Sequence, residues 1–194
     1  MANKNVEKEV FLEGLRAKWY TLDEPDYKFN VAGVYGVGAV LDEAAAALLN
    51  KTIRFVENES GEIGRSYDKG EVLKANMTAQ IRDKKTKALI NFVPMVLLPD
   101  LTPAPTEDIK KLGRNSKFRL KVSVKSYAQV GKPIAEVGPD GQETGRETWP
   151  TGCRAGGVSV KFRGLQILTF DAGEPTPEES GFSAVSDNDQ TGDY

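Results

Sequence analysis

Histidine is absent from the 194 residues, which removes the side chain most often used as a general base or a metal ligand. The single cysteine, Cys153, can neither close an internal disulfide nor build a thiolate zinc site alone. No window approaches the ~20 apolar residues that a membrane-spanning helix needs. The charged start "MANKNVEKEV" has no apolar run behind it, unlike a secretory signal. These gaps predict a protein of a reducing cytoplasm with no metal and no other cofactor. Basic residues are also missing from residues 171–194, which hold seven acidic ones. Of the 28 acidic residues, 21 therefore remain against 26 basic ones in residues 1–170. The net charge of -2 thus divides into a body at +5 and an anionic tail.

Along the chain, the stretch from Arg16 to Ala32 reads as an irregular lead-in, and a strand is expected from about Gly33 to Leu41. Asp42 is placed to cap a helix through "EAAAALLNKTIRFVE", with Leu41, Ala45, Leu48, Leu49, Thr52 and Val56 on one side. "VLKANMTAQIR" alternates as a half-buried strand that turns Lys74 and Arg82 to solvent. "DKKTK" is a basic turn. "ALINFVPMVLL" reads as a central strand in which Pro94 forces an edge or a bulge. A proline-rich connection and a short helical turn lead to "KFRLKVSVKSY". "GPDGQETGRETWPTGCRAGG" is expected to be a long exposed loop, and "GVSVKFRGLQILTF" a last strand with a bulge at Gly164. Short strands, one inserted helix and no β-α-β alternation favour an all-β, small antiparallel barrel over a doubly wound sheet.

Two strands carry the functional argument. In "FRLKVSVKSY", Phe118, Leu120, Val122 and Val124 form one face and Arg119, Lys121, Ser123, Lys125 and Tyr127 the other. Same-face neighbours lie about 6.6–6.8 Å apart, a spacing comparable to that of phosphates in an extended nucleic-acid strand. The last strand repeats the pattern, with Val158, Val160 and Phe162 inward and Ser159, Lys161 and Arg163 outward. Lys74 and Arg82 add charge from a third strand, and Lys84, Lys85 and Lys87 crowd the following turn. Cations that neutralise phosphates, interleaved with rings that stack on bases, suit single-stranded nucleic acid. The aromatic candidates are Tyr27, Phe29, Tyr35, Tyr67, Tyr127 and Trp149, the last beside Arg154; Phe118, Phe162 and Phe170 are expected inside. Each has a plainer reading, since lysine and arginine are ordinary on the wet face of a sheet and a tryptophan can simply cover a barrel mouth.

Catalysis finds little support. "GVYGVGAV" lacks the Gly-Lys-Ser/Thr ending of a phosphate-binding loop, and strand bends account for its glycines. Acidic pairs such as Asp23 and Glu24 occur without the converging carboxylates of a metal nuclease. A protein without enzymatic activity is expected. An acidic tail is commonly just solubilising, which does not account for Phe182 or for Tyr194 at the carboxyl end.

"PDYKF" with "GVYGVGAVLD", "DKKTKALINFVPMVL", "GRNSKFRLKVSVKSY", "GVSVKFRGLQIL" and the terminal "GDY" occur in that order over most of the chain. In this the sequence resembles the phage single-stranded-DNA-binding proteins. The resemblance implies a five-stranded Greek-key OB-fold with an inserted helix over residues 1–170, and a disordered acidic tail over 171–194. It implies phosphate contacts from Lys84, Lys85 and Lys87 and base stacking by Tyr127. The tail, through Phe182, Asp187, Asp189, Asp193 and Tyr194, would recruit replication proteins such as DNA polymerase or helicase. The expected role is largely sequence-independent cover of single-stranded DNA in replication, recombination or repair, in the cytoplasm of an infected bacterium, with weak duplex binding at low salt. A phage structural or accessory β-barrel is the alternative.

Overall fold

Strand β1, Glu7–Asp26, is 20 residues long in the computed structural model, where a polar start and an irregular lead-in were expected. The structure describes residues 5–171 except 29, 84, 111, 114, 138, 140 and 141. Phe29, Lys84 and the tail from 172 to 194 therefore lie outside the described residues. β1 escapes a simple alternation test because bulges shift its pairing register, between Leu12 and Leu15, between Ala17 and Trp19, and once more between Thr21 and Asp26. The buried set accordingly runs Val10, Leu12, then Leu15, then Leu22, changing parity at the first bulge. Gly14 supplies the left-handed backbone there, at φ +68°.

The bulges let one strand serve two neighbours. The first half of β1 pairs antiparallel with β7, Lys117–Tyr127. The second half pairs antiparallel with β2, Val34–Val40. β2 continues to β3, Val72–Thr78, and β7 to β10, Gly157–Thr169. β10 then meets β3 in parallel at Lys161 and Asn76, closing the ring. A closed β3-β2-β1-β7-β10 order with one parallel contact is the five-stranded OB barrel. The bulge expected at Gly164 is present, shifting register between Phe162 and Gly164 so that Leu165 and Ile167 turn inward.

Helix α1, Glu43–Ser60, is inserted between β2 and β3. The Asp42 carboxylate accepts a 2.7 Å hydrogen bond from the Ala45 N–H, and Gly61, at φ 75°, ends the helix by donating its N–H to the Glu57 carbonyl at 2.7 Å. Its buried face is Ala45, Ala46, Leu49, Thr52, Ile53 and Val56. Leu48, expected on that face, flanks it and is 42% exposed. Phe118 and Phe162 are core residues with Leu12, Val37, Leu73 and Leu120, whereas Phe170 is 40% exposed and not inside.

Three other expectations change. The strand through "VLKANMTAQIR" breaks at Ala79, after which β4, Gln80–Arg82, leaves the barrel and pairs with β5, Leu89–Asn91. "ALINFVPMVLL" is not a central strand: Pro94, which has no N–H for a ladder, separates β5 from β6, Met95–Leu97, at the edge beside β10. Only Val96 of β6 is buried. The long loop expected before β10 contains a hairpin of β8, Ile134–Val137, and β9, Glu143–Thr148. A short α2, Thr106–Lys110, precedes β7 as expected.

A Cβ at Gly14 would meet no atom within 4 Å, so the φ alone opposes a side chain. Gly14→Ala should destabilise the chain by about 1–2 kcal/mol in urea unfolding, whereas Gly14→Asn, which tolerates this backbone, should recover part of the loss. Equal stability of the alanine variant and the parent would show that the bulge does not constrain the fold.

Candidate nucleic-acid interface

The predicted stripe on β7 faces outward as expected, but carboxylates meet it. Strand β1 lays Glu7, Glu9, Phe11 and Glu13 alongside. Arg119 pairs with Glu13 at 2.8 Å, Lys121 with Glu9 at 2.6 Å and Lys125 with Glu7 at 3.4 Å. Arg163 reaches across from β10 to Glu7 as well. The net positive charge of the body therefore does not leave this face open and cationic. Ser123, between the two strands, donates its hydroxyl to Glu7 at 2.6 Å. That bond, and then the Arg163 guanidinium, hold the Glu7 carboxyl at about 2, well below its ordinary 4.5. Exposed pairs of this kind contribute about 0–1 kcal/mol each to stability. Their larger effect is to neutralise four of the cations predicted to meet phosphates.

A second outer face, formed by the later half of β1 with β2, β3 and β10, has the opposite character. Gly36 and Gly38 both point outward from β2, and the Trp19 indole lies over them. A Cβ at Gly38 would stand 2.5 Å from indole Cε2, and one at Gly36 would stand 3.3 Å from Cζ3. A Cβ at Gly38 would also meet Cδ1 of the five-membered ring, at 2.8 Å, whereas Cζ3 belongs to the six-membered ring, so the indole extends along β2. It remains 37% exposed. Gly38 is the cross-strand neighbour of Lys74, and Gly36 that of Asn76. Asn76 in turn adjoins Lys161. Lys74, Asn76 and Lys161 are all exposed, and neither lysine has a salt bridge among the described residues. A ring with one open side, on the same face as two unneutralised ammonium groups, can stack on a base while the lysines meet neighbouring phosphates.

The ends of this face carry several other predicted residues. At one end, Tyr27 is 54% exposed over Gly33. The β4–β5 hairpin begins beside it, where the Ala79 N–H donates to the Gly33 carbonyl. Arg82, Lys85 and Lys87 stand exposed on that hairpin. Its turn is built by Asp83, which accepts from the Lys85 and Thr86 N–H groups at 2.9 and 2.6 Å. At the other end, Tyr127 is half-buried, with the Arg154 guanidinium 5.2 Å from its ring centre. Its hydroxyl lies over Gly157, where a Cβ would be 2.7 Å away. Trp149, just after β9, is half-buried.

Two predicted stackers do not fit. Tyr35 faces inward and is 8% exposed, because its parity on β2 is opposite to that of Gly36 and Gly38. Burial is the first cause raising its hydroxyl above the ordinary value. Tyr67 packs against the core, its backbone held from both sides by the Asn50 amide at 2.8 and 2.9 Å. The Arg65 guanidinium is 5.0 Å from its ring centre. Trp19, conversely, went unrecognised. The usable signal was Gly36-Val37-Gly38: two glycines on one face of a strand leave a trough that a neighbouring ring can occupy. Among the described residues no cluster of His, Cys, Asp and Glu is arranged to hold a metal, and no helix is long and apolar enough to cross a membrane.

Fold and site together describe an OB barrel with an aromatic, cationic outer face. No family model matches the chain, and no curated protein matches it in sequence. Among solved structures it is similar in fold to gp2.5, a single-stranded DNA binding protein encoded by bacteriophage T7. The identity is 18%, with 88% of this chain and 94% of that one covered, at a TM-score of 0.51. The single-stranded DNA-binding protein from bacteriophage Enc34 also aligns, at 11% identity over 89% of each chain and a TM-score of 0.47.

The depressed Glu7 carboxyl sets the sign of one acid effect. Between about pH 4.5 and 2 the unfolded chain binds a proton that the folded chain does not, so stability is lost as pH falls through that window. Thermal unfolding across it should show a shallower decline for Glu7→Gln than for the parent. Parallel pH profiles would mean that Glu7 is not held by Ser123 and Arg163 in solution.

Proposed function

We propose that the chain is a non-enzymatic, largely sequence-independent single-stranded-DNA-binding protein of phage replication, recombination or repair, acting in the infected cell. The observation that carries this reading is the half-exposed Trp19 indole, which shares an OB-barrel face with Lys74 and Lys161. The strand-2 and strand-3 face is where this architecture binds oligonucleotides, and the fold similarity to gp2.5 points the same way. DNA lies across β2 and β3, its bases stacking on Trp19 and its phosphates meeting Lys74 and Lys161. Tyr27, Arg82, Lys85 and Lys87 extend the contact at one end, and Tyr127, Trp149 and Arg154 at the other. The β7 stripe of Arg119, Lys121 and Lys125, together with Arg163, takes a minor part because Glu7, Glu9 and Glu13 neutralise it.

Fluorescence titration with oligo-dT tests the assignment. Trp19→Ala should weaken binding roughly 5- to 150-fold, the range for one lost stacking contact, with the salt dependence unchanged. Lys74→Ala and Lys161→Ala should each make the slope of log affinity against log salt shallower by about 0.7, whereas Lys121→Ala should change it less. A Trp19→Ala variant that binds as the parent does would overturn the stacking role.

The tail from 171 to 194, with seven acidic residues and no basic one, has two roles in this reading. It competes with DNA for the cationic body, and its aromatic ends, Phe182 and Tyr194, engage replication proteins such as a polymerase or helicase. Removing residues 172–194 should tighten oligo-dT binding at low salt, with the difference shrinking as salt screens it. Equal affinity of the truncated and full chains in low salt would remove the competition.

A further inference from the structure

A cavity among the described residues lies beside the interface just described. A cleft of about 640 Å³ opens where the first bulge of β1 faces the start of α1. Gly14, Arg16, Lys69, Gly70, Asn115 and Lys117 line it. Arg16 and Lys117 are exposed and have no salt bridge among the described residues. Asp42 also lines the cleft, and two acidic groups there already have partners. The Asp42 carboxylate caps α1 through the Ala45 N–H at 2.7 Å, and Glu43 lies 3.7 Å from Lys69. A Cβ at Gly14 or Gly70 would meet nothing within 4 Å, so the backbone on these two sides stands open to a ligand.

The cleft also continues the proposed DNA face. Arg16 is the cross-strand neighbour of Val40, and Trp19 that of Gly38. Both point outward, and their partners are two residues apart on β2, about 6.6–6.8 Å. On its other side Arg16 is opposite Lys117. The row that begins at Lys161 and Asn76 and passes Lys74 and Trp19 therefore gains two further unneutralised cations one step beyond the indole.

We propose that this cleft binds internucleotide phosphates of the strand stacked on Trp19. The bound strand then leaves the barrel between β1 and α1, past Arg16 and Lys117, instead of across the β7 stripe. This rests on the reading of the Trp19 face as the DNA interface. Arg16 supplies a planar donor fork to one phosphate and Lys117 an ammonium to the next, and Asn115 adds an uncharged donor.

The test is a length series of dT oligomers, from those just long enough to cover the Trp19 face to those several nucleotides longer, titrated against the full chain. Arg16→Ala/Lys117→Ala should bind the short oligomers as the parent does and lose the affinity gained with length. Its salt slope on long oligomers should be shallower by about 1.4, as for two lost phosphate contacts. Arg16→Lys/Lys117→Arg should restore that slope. Lys51→Ala/Arg54→Ala removes the same charge from the outer surface of α1 and should leave the length dependence intact. The proposal is overturned if the Arg16/Lys117 pair changes nothing. It is also overturned if that pair weakens all lengths equally and by as much as the α1 control, which would be a loss of net charge only. If Trp19→Ala leaves short oligomers unaffected while the Arg16/Lys117 pair still removes the gain with length, the Trp19 reading fails and the cleft stands as a phosphate site of its own.

Discussion

The architecture depends on the sharing of β1 between β7 and β2. A strand that ladders to one neighbour with its first half and to another with its second must rotate its faces between them, and here bulges do so. The same rotation decides the electrostatics. In the first half of β1 the outward residues are Phe11 and three glutamates, which meet the cations of β7. In the second half is Trp19, which meets the bare glycines of β2. One continuous segment thus lines one side of the barrel with paired carboxylates and gives the other an open aromatic ring.

This arrangement separates charge from availability. By composition the body is cationic at +5, but a cation within salt-bridge distance of a carboxylate offers a phosphate little unless that carboxylate is displaced. Glu7 is the least displaceable of the three acids, since Ser123, Lys125 and Arg163 all converge on it. In the proposed function, the cations that matter are then those without a salt bridge among the described residues. On the barrel wall these include Lys74, Lys161, Arg16 and Lys117.

Much of the barrel was legible because its buried strands alternate cleanly. The inward set of β7, the bulge at Gly164, the strand at β2 and the cap at Asp42 all follow from parity and local hydrogen bonding. β1 was not legible, since a three-residue step from Leu12 to Leu15 breaks the period on which recognition depends. The apolar run around Pro94 misled for a related reason: hydrophobicity suggested a central strand, while the missing N–H placed its halves in different sheets. At the site, the orientation of the β7 cations could be read from one strand. Their neutralisation could not, because it depends on the register of a neighbour more than 100 residues away in sequence. Tyr35 failed by parity alone, and Trp19 was hidden within the unrecognised strand.

The paired glycines beneath Trp19 also bear on entropy. A tryptophan on an ordinary strand surface samples several rotamers, and a partner that settles on it must freeze them. The trough over Gly36 and Gly38 restricts the indole while the chain folds, before any ligand arrives. A planar partner therefore meets a surface whose orientation is already set, and only the partner's own freedom remains to be lost on contact.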